Sequence, residues 1–395
     1  MSGNKIKHLC VITPRYPNLI NQAAMPFVRQ LAWSLADQGV KVSVICPLSL
    51  TDGMAAVRHP KTVCEQTPHG NVVEIHFPKF INFGQKRIGL LRLGLWTEYY
   101  FRRKVKKTLQ AMTDKPDALY GHFVNPAGMT AAKLGRALNV PSFLAYGESY
   151  FWATEGLSLN HIRRVISDLT GVVAVSSHNK RVFDAYDFVS PSRVQVFPNG
   201  VRTELFYPRD RVEARRRFNI PLEHFVICFV GHFNERKGLP VLNRVLRRID
   251  GVYSLFAGSG PIMPYSKNNL FRGTVSSQDI PWLYSAADVF VLPTENEGLS
   301  NAIVEAMACG LPIISSDLAF NDDVLDESNS IRIDPTDDRA LEQAIVTLRD
   351  DQALRERLSI GSIVKAKHMT LEQRAKNILT FIETISGDTT DENMD

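Results

Sequence analysis

Short runs of apolar residues recur along the chain, separated by longer stretches in which apolar positions return every third or fourth residue. Runs of that kind suit strands buried on both faces of a parallel sheet, and the stretches between them suit the helices that cover it. The pattern predicts strands at 9–13, 42–46, 72–77, 119–120, 142–145, 171–175 and 194–197. A second set is predicted at 226–230, 253–257, 289–292, 313–315 and 331–333, with helices such as 240–249 and 339–349. Strands alternating with helices are the mark of βαβ units. The two sets meet near residues 198–208, which predicts an α/β chain of two Rossmann-like domains, 1–197 and 198–370. Their strands should end at a shared cleft.

Composition narrows the classes. A chain of 395 residues with 44% hydrophobic and 22% charged residues has the balance of a globular protein with room for two cores. A net charge of +5 is small for this length and gives no reason to expect nucleic acid as a partner. Cys10, Cys46, Cys64, Cys228 and Cys309 form no CxxC pair, so reduced thiols in a cytoplasmic setting are expected. No apolar run is long enough to span a bilayer, and any membrane contact should be peripheral, at the inner face. The polar, acidic segment 387–395 reads as a disordered tail.

The chemistry concentrates in residues 288–312. Val289-Phe-Val-Leu292 is a strand, and Pro293 forces the chain to turn. A loop containing Glu297, Gly298 and Leu299 follows, then Ser300 as a helix cap. Asn301 opens a helix that carries Glu305 and stops at Gly310 and Pro312. A helix start beyond the carboxyl end of a strand offers unpaired N–H groups to an anion such as a diphosphate. A carboxylate in its second turn can accept both hydroxyls of a ribose. Upstream, Gly231-His232-Phe-Asn-Glu-Arg236-Lys237-Gly238 forms a second loop between a strand and a helix. It carries glycines for a tight turn and cations for a phosphate, and Gly260 lies in the turn after the next strand.

Glu297-x7-Glu305, with Gly298-Leu299 behind the first glutamate and Ala-Met-Ala-Cys-Gly-Leu-Pro behind the second, resembles the signature of retaining glycosyltransferases of family four. Residues 197–208, 230–238, 256–261, 271–273 and 286–288 match further family segments in the same order. The resemblance implies the GT-B arrangement and a last helix, about 371–386, that crosses back to the first domain. It also implies transfer of a hexosyl unit from a nucleoside diphosphate sugar to an acceptor hydroxyl with retention, without a metal or other cofactor. Lys237, Glu297 and His232 would be catalytic. Arg236, Gly231, Gly260, Gly298, Leu299, Ser300, Asn301 and Glu305 would bind the donor. His232 stands where the family has an arginine, so one fixed charge is replaced by a titratable imidazole.

The first domain matches less closely. Residues 14–26 replace the family's glycine-rich loop, and Asn21 is a candidate ligand contact there. Tyr146 and Glu148 stand where many members have a His-Gly pair, and His122 follows a predicted strand. These are weaker candidates for sugar or acceptor contact. Residues 86–107 mix Lys and Arg with Trp96, Tyr99, Tyr100 and Phe101, a composition suited either to an anionic membrane surface or to a core-packed helix with a basic end. The partners expected are therefore a nucleotide-sugar donor, a glycan or lipid-linked acceptor and an anionic membrane. The setting expected is cell-surface polysaccharide or glycolipid synthesis. The same fold also serves nucleotide-sugar 2-epimerases and non-catalytic nucleotide-sugar binding proteins, which stand as alternatives.

Overall fold

The computed structural model describes residues 5–84, 87–88, 91–151 and 153–391. The chain divides into two compact units. Unit 1 takes the residues up to Phe197 and those from Leu371 onward, and unit 2 takes Pro198–Thr370.

Unit 1 is built on eight strands: β1 (His8–Ile12), β2 (Lys41–Ile45), β3 (Thr62–Gln66), β4 (Val72–His76), β5 (Ala118–His122), β6 (Ser142–Tyr146), β7 (Gly171–Ala174) and β8 (Val194–Val196). They lie in the order β8-β7-β6-β5-β1-β2-β4-β3, parallel throughout except for the antiparallel β4–β3 pair at the edge. Strand β3 was not expected, because Thr62-Val-Cys-Glu-Gln has no apolar run; it alternates between exposed and half-buried positions, as an edge strand does.

Alternation along β1 explains the two-faced core. Leu9 and Val11 face helix α1 (Pro26–Ala36) and the C-terminal helix, whereas Cys10 and Ile12 face helix α2 (Leu93–Ala111). In the segment expected to form an interfacial helix from residue 86, the helix begins only at Leu93. Lys86, Gly89 and Leu90 lie outside the described residues. Phe101, Val105 and Leu109 of α2 are buried, Phe101 edge-on to Phe80 at 5.6 Å, so one side of this helix belongs to the core.

The C-terminal helix Leu371–Asp391 runs past residue 386, contrary to the expected disordered tail from 387. Residues 387–391 are weak helix formers but contain no proline, and extending a formed helix costs less than starting one. The final four residues lie outside the described ones. Ala375, Ile378, Phe381 and Ile382 of this helix join the core of unit 1.

Unit 2 holds six parallel strands: β9 (Phe225–Val230), β10 (Val252–Ala257), β11 (Asn268–Gly273), β12 (Val289–Leu292), β13 (Ile313–Ser316) and β14 (Ser330–Ile333), in the order β11-β10-β9-β12-β13-β14. Polar Asn268-Asn-Leu-Phe-Arg-Gly273, unexpected as a strand, pairs at the edge with a register shift opposite Ser254 and Leu255. Helix α3 (Leu239–Leu246) follows β9, and helix α4 (Asn301–Ala308) follows β12.

A buried charge pair ties the sheet of unit 2 to its first helix. Arg215, fully buried, donates to Asp288 Oδ2 at 2.8 Å and to the carbonyls of Pro221, Leu222 and His224. Asp288 Oδ2 also accepts the Val226 amide at 2.7 Å. At the other end of unit 2, the Val201 amide donates to the Met369 carbonyl at 2.8 Å and Val201 bridges Thr370. The first and last segments of the unit are thereby fastened together.

Candidate active site in unit 2

The loops that follow β9, β10 and β12 are locked to one another through backbone. The Glu295 amide donates to the Arg236 carbonyl at 2.8 Å, and the Phe233 amide donates to the Ser259 carbonyl at 2.9 Å. Glycine is required where these loops meet. A Cβ on Gly238, which has φ of +72°, would stand 1.9 Å from the Pro293 carbonyl oxygen; one on Gly260 would stand 2.3 Å from that of Phe233. Gly260 therefore serves first as a packing surface for the neighbouring loop. The same loops carry the charged side chains.

Three side chains converge there on one carboxylate. Glu297 Oε1 receives Lys237 Nζ, Arg236 Nη1 at 2.9 Å and the Thr294 hydroxyl at 3.2 Å. The Thr294 hydroxyl also reaches the Arg236 carbonyl at 3.0 Å, and Arg236 Nη1 donates to the Asn296 carbonyl. Lys237 and Glu297 are nearly buried, whereas Arg236 is more open. Two cations sharing one anion leave a positive charge in a partly desolvated pocket, which is the electrostatic condition for holding a phosphate. The Lys237 stem lies over Gly231, with its Cε 3.7 Å from where a Cβ would be. His232 is exposed on the same loop.

Helix α4 supplies the second element. Ser300 occupies its N-cap position, but its hydroxyl makes no capping bond and is buried without a hydrogen-bond partner. The expected serine cap is thus corrected: the residue sits at the helix start and leaves the first-turn amides to other acceptors. Gly298 and Leu299 are buried behind it, and the Leu299 carbonyl accepts from Asn199 Nδ2 at 3.1 Å; Asn301, half-buried, opens the helix.

Glu305, in the second turn and half-buried, accepts the Tyr284 hydroxyl at 3.2 Å. Desolvation pushes this carboxyl up to about 7, against the lowering effects of the Tyr284 bond and the Arg202 charge. Tyr284 was not foreseen; it lies fully buried in a separate helix, Ile280–Ala286, and only the fold brings it to Glu305.

The unit 1 candidates fare differently. Tyr146 is fully buried in the core, its ring 5.1 Å from that of Phe183 and 6.1 Å from that of Phe151, so it is unavailable to a ligand. Strand alternation is the reason: Tyr146 shares a face with Leu144, which points into the same cluster. Glu148 is also buried, and its Oε1 accepts the Val124 amide at 2.7 Å, which gives it a loop-fastening role. His122 is buried edge-on to Tyr120 at 5.5 Å; desolvation and the Arg374 charge push it down to about 3, so it is neutral. Asn21 is exposed, and its Oδ1 accepts the Ala23 amide.

Asn21 nevertheless lines a concavity of about 500 Å³ in unit 1, whose other polar lining residues include Arg15, Asn18, Asp52, Asn82 and Thr97, which sequence reasoning did not single out. These residues come from unrelated loops and one helix, and no spacing connects them.

Two parallel α/β units, one with its charged loops gathered at the strand ends, define the GT-B class of glycosyl-transfer proteins. The chain is similar over almost its whole length to solved structures of that fold. One is sucrose-phosphate synthase from Thermosynechococcus elongatus, with TM-score 0.76, 18% identity, and 96% of this chain and 99% of that one covered. Another is Anabaena HepE in complex with UDP-glucose, with TM-score 0.67, 16% identity, and 95% and 99% covered.

Residues 26–205 match the family described as Glycosyltransferase Family 4, and residues 224–351 match Glycosyl transferases group 1. The chain belongs to these family-four, group 1 glycosyltransferases. Among curated relatives it is 25% identical over 354 residues to a putative teichuronic acid biosynthesis glycosyltransferase of Bacillus subtilis, covering 86% of this chain and 89% of that one. It is 33% identical over 157 residues to a lipopolysaccharide core biosynthesis glycosyltransferase of Rhizobium meliloti. That match covers 38% of this chain and about half, 46%, of the relative.

Proposed function

We propose that this glycosyltransferase moves a hexosyl unit from a nucleoside diphosphate sugar to a hydroxyl of a glycan or lipid-linked acceptor, with retention, in the synthesis of a surface polysaccharide or glycolipid. The observation that carries the reading is the meeting of Lys237, Arg236 and Glu297 between interlocked loops, one helix start away from Glu305. As the bond from the anomeric carbon to the diphosphate oxygen breaks, negative charge grows on the leaving group. Lys237 and Arg236 are placed to meet it, with the open first turn of α4. The acceptor oxygen bonds to the same carbon and its proton passes to the departing phosphate. Glu297, released in part from its cations by the arriving diphosphate, is free to take a sugar hydroxyl, and Glu305 holds the ribose hydroxyls.

A UDP-bound and a UDP-glucose-bound HepE among the neighbours of the same fold support a nucleotide-sugar donor and make UDP sugars the first candidates. No residue of this scheme calls for a metal, and turnover should persist in excess EDTA.

The test is thermal stabilisation by a panel of UDP, GDP, ADP and dTDP sugars, followed by product analysis with and without acceptor. Stabilisation by one donor that disappears in Glu305→Ala is the expected result. No shift with any donor would sink the reading, and release of an altered sugar nucleotide without acceptor would turn it into an epimerase.

A further inference from the structure

Helix α2 is two-sided. Thr97, Glu98, Phe101, Val105 and Leu109 turn inward, and Glu98, the only carboxylate of the helix, is consumed by Arg102, Lys133 and His161. Outward, Trp96 and Tyr99 are about half exposed, and Arg103, Lys106 and Lys107 continue the same stripe one and two turns on. The stripe passes from aromatic to cationic with no acid on it. Arg102 lies over the Tyr99 ring at 5.9 Å.

The aromatic end is continuous with other exposed apolar residues. Phe83 packs its ring 6.4 Å from that of Trp96 and 5.6 Å from that of Tyr100. Ile20, Met54 and Ile81 are exposed as well. Each neighbours, or itself is, a residue that lines the 500 Å³ concavity: Ile20 lines it directly, Met54 follows Asp52 by two positions, Ile81 and Phe83 flank Asn82, and Trp96 precedes Thr97. Ile20 is therefore an exposed apolar residue of the lining itself, and Phe83 joins the aromatic end of α2 beside Thr97. In unit 2, exposed apolar side chains occur singly, as Tyr207 and Leu222, or in pairs, as Met263 with Tyr265 and Ile360 with Val364.

We propose that the outward stripe of α2, with Phe83 packed on it and Ile20 of the concavity's lining, forms a docking surface for an anionic lipid bilayer. Indole and phenol groups settle at head-group depth, and the three cations meet lipid phosphates beside them. A second copy of the chain is a poor occupant, because a two-fold contact would set the cationic stripe against itself. Among the described residues no helix is long and apolar enough to cross a membrane, so the contact is a surface one. Docking places the mouth of the concavity at the lipid head groups; only the naming of its occupant, a lipid-linked acceptor, rests on the transfer reading.

Co-sedimentation of the full chain with phosphatidylcholine vesicles, with and without phosphatidylglycerol, tests the surface. Binding to the anionic vesicles alone, weakening as salt rises, is expected. The triple variant Arg103→Gln, Lys106→Gln, Lys107→Gln should lower partitioning by roughly fivefold per cation, on the order of a hundredfold together. Trp96→Ser with Tyr99→Ser should lower it on the anionic vesicles as well, with the salt dependence kept. Unchanged donor-induced thermal shifts in all these variants would establish that they fold and would keep this proposal separate from the donor reading. Equal binding to neutral and anionic vesicles, wild-type binding by the triple variant, or a dimer that becomes monomeric in Trp96→Ser with Tyr99→Ser while vesicles go unbound would each overturn it.

Discussion

Units 1 and 2 carry sheets of the same parallel kind, yet they treat the carboxyl ends of their strands in opposite ways. In unit 2 the loops after β9, β10 and β12 bond to one another through backbone and send Arg236, Lys237 and Glu297 to one point. In unit 1 the side chains at the ends of β5 and β6 turn into the protein's own packing, while the residues just past β1 and β2 line the concavity. Tyr146 enters the core, Glu148 holds the Val124 amide and His122 lies against Tyr120. The polar lining of its concavity comes from the loop after β1, with Arg15, Asn18 and Asn21, from Asp52, and from Thr97 on α2. A ligand part that never changes, such as a diphosphate, rewards loops that are pre-set before it arrives. A part that differs among relatives is met by loops free to vary without disturbing the sheet.

That contrast can be broken in unit 2 first. Asp288→Ala leaves Arg215 buried without its carboxylate and should cost about 3–5 kcal/mol of stability, read as a fall in the denaturant midpoint. A loss under 1 kcal/mol would mean that the frame beneath the site is less rigid than its bonds imply. Lys237→Ala should lower kcat by about 10²–10³-fold while donor affinity changes only a few-fold; matching losses in both would place its role in binding rather than in the transition state.

The third test is pH. A carboxylate that accepts ribose hydroxyls must be ionised, and Glu305 in the free protein is protonated below about 7. Donor affinity should therefore fall about tenfold from pH 8 to pH 6, and Glu305→Gln should bind weakly with a flat profile. A flat wild-type profile would remove Glu305 from the ribose. The smallest effect belongs to unit 1: Tyr146→Phe removes a hydroxyl that faces the core and should leave kcat/KM within about twofold. A large loss of activity in a folded variant would show that the strand ends of unit 1 take part after all.

What was legible in the chain follows the same division. Every strand with an apolar run, such as Val289–Leu292 and Phe225–Val230, could be read in advance, because burial on both faces demands that composition. Strands β3 and β11 could not, since edge strands tolerate polar residues. Lys237, Glu297 and Glu305 stood out through the resemblance of their spacing to a family signature. Their contacts did not: Tyr284 reaches Glu305 from 21 positions away, a neighbourhood set by helix packing. Tyr146 was misread because a strand end offers two faces, and only the pairing of β6 between β5 and β7 decides which one meets the core.

The C-terminal helix has a consequence for the order of events on the ribosome. Unit 1 is begun before unit 2, but Phe381 and Ile382 of its core are made only after unit 2. At ordinary elongation rates the sheet of unit 1 must wait roughly 10–40 s for that cover, while unit 2 is synthesised entire in the interval. Birth order and completion order are thus reversed: of the two units, the one begun first is sealed second, and a nascent protein stalled near Thr370 would carry a finished unit 2 and a unit 1 sheet still missing one wall.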